Sequence, residues 1–107
     1  MSERNASEKP VFTYAEAAAL VTEVLELTER AYRKVEALSE GGERRGEAEA
    51  VVEEWAHAMQ SRGIEVKGLW LLDFDNGSGY YCWRYPEAAL MYYHGYDEGF
   101  RGRVPIQ

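Results

Sequence analysis

Apolar residues in the first sixty positions recur at spacings of three and four. Leu20, Val21, Val24, Leu25, Thr28, Ala31, Tyr32, Val35 and Leu38 form one set, and Ala50, Val51, Trp55, Ala58 and Met59 a second. That period gathers each set on one face of an α-helix. It predicts helices over 13–40 and 47–62, parted by Gly41-Gly42 and a charged loop over 43–46. Thr13-Tyr14-Ala15-Glu16 has the form of a capping box, with Thr13 and Glu16 each serving the other's backbone N–H. Phe12, just outside it, is placed to pack back on the first turn, and Gly63 supplies the stop of the second helix. Residues 1–11 are polar and are expected to be a mobile tail.

After Gly63 the period changes. Short aromatic and β-branched runs read as strands over about 64–74, 80–84 and 88–94, the first in two pieces, Ile64–Lys67 and Leu69–Phe74. Residues 95–107 follow as a glycine-punctuated tail. Asp75-Asn76-Gly77-Ser78-Gly79 carries the Asn-Gly signal of a hairpin turn. A second hairpin with Pro86 and Glu87 at its tip would set Arg84 opposite Ala89, Cys82 opposite Met91 and Tyr80 opposite Tyr93. Trp83 with Leu90 and Tyr81 with Tyr92 would share the other face, with His94 at its end. A slip of one residue reverses every one of these assignments. The expected fold is one α+β domain over 12–107, a long antiparallel helical hairpin on one face of a three-stranded antiparallel β-meander.

The lengths of these elements do not match. A helix over 13–40 is about 40 Å long, whereas strands of five to seven residues reach about 17–23 Å. Its apolar stripe out to Val35 and Leu38 would therefore overhang the sheet. Ten of the fourteen aromatic residues fall between Trp70 and Phe100, on both faces of the second hairpin. Two helices cover only one face of such a sheet, so both excesses are expected to form a homodimer or protein-partner surface. The alternative is that the tail folds over the open face.

Composition narrows the function. With 107 residues there is room for one core. The net charge of −7 is concentrated in residues 1–54, with 13 acidic and 7 basic side chains against 6 and 5 in the remainder. That balance disfavours phosphate backbones, so no nucleic-acid partner is expected. No apolar run is long enough to span a bilayer, and MSERNASEKP lacks a signal-peptide pattern, so no membrane association is expected. A single Cys excludes an internal disulfide and suits the cytoplasm.

The stretch from Tyr80 to Arg103 resembles the domain-of-unknown-function 2203 family of small bacterial proteins. Cys82-Trp83-Arg84, Glu87, His94, Asp97, Gly99-Phe100 and Gly102-Arg103 stand at that family's spacings without a gap. Gly63–Lys67 and Asp73-Phe74 look like its first strand, with two residues fewer between them, and Pro86 stands where the family carries Gly. The resemblance implies a helical hairpin on a small sheet, and it implies no activity.

Candidate chemistry centres on the last strand. His94 and Asp97 with Glu87 would make a zinc or hard-metal set, with Asp73 placed to approach from the first strand. The structural alternative is that His94 pins the tail through Asp97 or a backbone carbonyl. Arg84, Arg101 and Arg103 beside Gly99 and Gly102 would clamp an anion; otherwise Arg84 pairs with Glu87 or Asp73, and Arg103 with Asp97. The aromatic strands could stack unpaired bases, but Arg84 is their only basic residue, which favours packing. Cys82, mid-strand, reads as an inert core residue, and His57 on the second helix as a surface imidazole. The leading expectation is a non-enzymatic protein–protein interaction or dimerisation module with no cofactor. The alternative is a small metal-dependent hydrolase or anionic-ligand-binding protein centred on His94, Asp97, Glu87 and Arg103, with Arg84 among its ligand-binding residues.

Overall fold

The structure is a computed structural model, and it describes residues 10–40 and 44–106. The expected mobile stretch before Pro10 and the Gly41-Gly42 helix stop lie outside the described residues. Helix α1 spans Tyr14–Glu40 and α2 spans Arg45–Gln60. At the start of α1 the Thr13 N–H donates to Glu16 Oε1 at 2.9 Å, and the Glu16 N–H donates to Thr13 Oγ1 at 3.1 Å, which is the reciprocal capping box. After α2, Gly63 takes φ 83°, its N–H donates to the Gln60 carbonyl, and the Ile64 N–H to the Met59 carbonyl. This paired closure needs a left-handed residue, which glycine adopts without a Cβ clash.

Among the described residues five strands follow, not three: β1 Glu65–Gly68, β2 Leu71–Asp75, β3 Tyr80–Arg84, β4 Tyr92–His94 and β5 Val104–Pro105. They form one antiparallel sheet in sequence order. The stretch read as a first strand is a hairpin, because Leu69 and Trp70 make a tight reversal in which Trp70 holds φ 63°. The tail supplies β5, with Val104 opposite Tyr93 and Pro105 opposite Tyr92.

Side chains alternate across a strand. Leu72 and Phe74 of β2 and Trp83 of β3 join Ala17, Val21 and Val24 of α1 and Trp55 and Met59 of α2 in one buried cluster. Within it Trp55 Nε1 donates to the buried Thr28 Oγ1 at 2.8 Å, which satisfies a polar group at the helix–helix contact. Phe12 packs edge-on against Phe74, and its N–H donates to the Asp75 carbonyl. The far end of α1 is less bare than its length implies: Val35 packs against the core, and Val35 and Leu38 are half-buried. Among the described residues no helix is long and apolar enough to cross a membrane.

The second hairpin departs from its expected register by one residue. Tyr80 faces His94, Tyr81 faces Tyr93, and Cys82 faces Tyr92. Residues 85–91 form a loop in place of a two-residue tip, and Leu90 leaves the strand to enter the core. The loop is tied by Glu87 N–H to the Arg84 carbonyl, Trp83 Nε1 to the Glu87 carbonyl at 2.8 Å, and the Tyr85 N–H to the Trp70 carbonyl. Its Tyr85–Pro86 peptide is cis. The slip carries His94 to the face of the sheet away from the helices.

Candidate metal centre

That far face is where the chemistry collects. Since Leu72, Phe74 and Trp83 point to the helices, Asp73 of β2 and Cys82 of β3 point away, and they are direct cross-strand partners. His94 joins them through its pairing with Tyr80. One oxygen, one sulfur and one nitrogen, from three adjacent strands, lie within 4.8 Å of one another. All three residues are buried, each no more than 3% exposed.

The His94 ring is oriented from both sides. Nδ1 lies 2.9 Å from the Gly95 carbonyl oxygen, which only accepts, so this nitrogen carries a proton. Nε2 then faces both Asp73 carboxylate oxygens at 3.1 Å. The Cys82 thiol lies beside the Asp73 carboxylate, its direct cross-strand neighbour. Burial pushes the Asp73 carboxyl above its usual range, against the pull of His94. Burial, reinforced by the Asp73 charge, pushes the Cys82 thiol up to about 12. Such a thiol is no nucleophile at neutral pH. No buried side-chain nitrogen or oxygen among the described residues lacks a partner.

The tail forms the outer wall. Tyr96 packs edge-on against Tyr80, and its hydroxyl donates to Asp75 Oδ1 at 2.6 Å. The Gly95 N–H donates to Glu98 Oε1 at 3.0 Å. Arg103 donates to both Glu87 oxygens at 3.2 and 2.6 Å and reaches Cys82 Sγ at 3.8 Å. Its guanidinium sits 4.1 Å from each of the Tyr92 and Phe100 ring centres. Between tail and sheet a cavity of about 260 Å³ opens, lined by Lys67, Tyr80 and Phe100 along with Asp73, Cys82 and His94.

The residues expected to form a site are therefore divided. His94 is in the cluster, but Glu87 is engaged by Arg103 and by the Arg84 N–H at 2.9 Å. Asp97 is exposed in the turn after β4, and Glu98 supplies the carboxylate that binds that turn. Neither Asp97 nor Glu87 joins the group around His94. Arg103 pairs with Glu87 and not Asp97, while the exposed Arg84 guanidinium lies 5.4 Å from the Phe100 ring centre. Asp73 and Cys82 replace them. The Asp73–Cys82 pairing across a turn whose length is set by Asn76-Gly77 was the signal available in the sequence; the His94 register was not. His57 is exposed on α2.

The family model described as an uncharacterized conserved protein, DUF2203, matches residues 10–106. No curated protein and no solved structure matches the chain.

Proposed function

This chain belongs to the uncharacterised conserved family DUF2203, and from its own geometry we propose that it is a transition-metal-binding domain, zinc being the ion its donors suit best. One observation carries the reading: Asp73, Cys82 and His94 present three different donor atoms within 4.8 Å of one another at the wall of a cavity. A carboxylate, a thiolate and an imidazole together form a borderline-soft set, which favours zinc over magnesium or calcium. The Nδ1–H bond to the Gly95 carbonyl aims Nε2 inward, the outer-shell arrangement that metal-ligating histidines use. A divalent ion, a neutral imidazole, a carboxylate and a thiolate are neutral together, so the loaded site would carry no net charge where it is buried. A Cys ligand also calls for a reducing compartment, in keeping with the bacterial cytoplasm.

Metal analysis of the purified chain, with thermal unfolding before and after chelation, tests the reading. About one zinc per chain is expected, and zinc at a hundredfold its Kd should add about 2.7 kcal/mol of stability. His94→Ala should remove both effects while keeping the helical circular dichroism. A chain that retains no metal and whose unfolding ignores added zinc would overturn the proposal.

A second reading is supported by the opposite face. Tyr14 packs edge-on against Tyr81, Tyr81 is paired with Tyr93, and Tyr93 with Val104. This apolar row runs outward past the helices, and Tyr14, Tyr93 and Val104 remain 43–44% exposed. We read it as the contact surface for a second copy of the chain. Sedimentation at increasing concentration should show a dimer that Tyr93→Lys dissociates; a monomer throughout would remove this reading.

A further inference from the structure

Structural zinc sites are closed by four protein ligands, whereas sites that act on another molecule keep a position for it. Among the described residues no fourth His, Cys, Asp or Glu joins Asp73, Cys82 and His94. Glu98, which also lines the cavity, stands outside the group with Oε1 occupied by the Gly95 N–H. The same three residues border the cavity of about 260 Å³, which is large enough for a molecule of several heavy atoms. The cavity therefore adjoins the position that the described residues leave unfilled.

The charges around that position select the class of ligand. Asp73 and Cys82, binding as carboxylate and thiolate, would cancel the charge of a divalent ion and leave it a Lewis acid. Lys67 lies on the same wall with its ammonium 4.6 Å over the Tyr80 ring and 3.3 Å from Glu65 Oε1. Its side chain is 39% exposed, so it can turn toward a ligand in the cavity. Tyr80, Phe100 and Leu71 give the remainder of the wall an aromatic and aliphatic character. An oxygen donor at the ion with a short apolar body behind it fits these surroundings.

Resting on the metal-binding reading above, we propose that the bound ion keeps one coordination position open to the cavity, and that this position takes a small carboxylate-type anion steadied by Lys67. No covalent step is implied; the anion replaces a water molecule on the ion.

Cobalt(II) in place of zinc makes both halves of the idea visible. Cobalt bound through Cys82 gives a thiolate charge-transfer absorption, which Cys82→Ala should abolish. Acetate and acetohydroxamate, added to the cobalt-loaded chain, should shift its ligand-field bands in a saturable way. Lys67→Met should weaken that response by up to about fivefold, the range for a partly exposed ion pair, with the Cys82 thiolate band still present. A thiolate band that neither anion perturbs would overturn the open position and leave the metal reading standing. A perturbation unaffected by Lys67→Met would overturn the role of Lys67. The absence of any thiolate band would overturn the metal reading, and this proposal with it.

Discussion

Arg103→Met is expected to destabilise the chain by about 3 kcal/mol, and the contacts of the guanidinium show why. Its two bonds to Glu87 form a fork at 3.2 and 2.6 Å, with the Arg103 and Glu87 side chains only 12% and 17% exposed. An exposed pair is worth about 0–1 kcal/mol, and breaking a fully buried one costs about 3–5 kcal/mol. This pair falls between, at about 2 kcal/mol, because Glu87 keeps the Arg84 N–H when the arginine is gone. The Tyr92 and Phe100 rings add two cation–π faces at 4.1 Å, about 0.5 kcal/mol each. For a domain of this size the total corresponds to a fall in Tm of about 15 °C. Equilibrium urea unfolding followed by tryptophan fluorescence measures it. Arg103→Lys should recover only about 1 kcal/mol, since an ammonium keeps the charge but neither the fork nor the flat stacking surface. A double-mutant cycle with Glu87→Gln should return a coupling of about 2 kcal/mol. A loss below about 0.5 kcal/mol for Arg103→Met, or full rescue by lysine, would refute the view that this clasp holds the tail to the sheet.

Three further outcomes follow from the same face. A Cβ on Gly79 would stand 2.7 Å from the His94 carbonyl oxygen, so Gly79→Ala should push β4 from β3, cost about 1–3 kcal/mol, and weaken zinc binding in a calorimetric titration; unaltered affinity and stability would contradict that packing. The Cys82 thiol, pushed up to about 12 by burial and by Asp73, should ignore a disulfide reagent at about pH 8 in the folded chain and react fully when unfolded, and rapid labelling of the native protein would show the thiol to be accessible. The Tyr96 phenol is held at about 12 by its bond to Asp75, above the ordinary 10.0. Because the folded value is raised, the stability this bond supplies is complete below pH 10.0 and is lost as pH rises through about 12. An alkaline absorbance titration of the folded chain should show one late-ionising tyrosine that Tyr96→Phe removes.

The parts of the fold that were legible are those decided by a few neighbouring residues. Thr13 and Glu16 lie three positions apart, and their two bonds depend on nothing beyond the first turn. Gly63 and Ile64 close α2 through carbonyls respectively three and five residues back. Asn76-Gly77 makes its turn with Asp75 and Asn76 side chains accepting from the Gly77 and Ser78 N–H groups. The division of the stretch over 64–74 was hidden because its reversal rests on Trp70, a bulky residue at positive φ. Only its buried packing against Trp55 and Tyr32 explains that conformation. β5 was hidden too, since two residues with no alternation carry no strand signal until β4 pairs with them.

The candidate site shows the same boundary more sharply. The amino-acid sequence alone established two amphipathic helices, the Asn76-Gly77 turn, and an aromatic second hairpin ending in His94. Its side chains alternate with period two, so a single residue of slip decides whether His94 meets the helices or the two other donors. That choice was made by the loop over 85–91, where the core took Leu90 out of the strand and Arg103, from the tail, took up Glu87. These are contacts between residues far apart in the chain, and no local period or cap encodes them. The helices are a consequence of spacing; the meeting of Asp73, Cys82 and His94 is a consequence of packing.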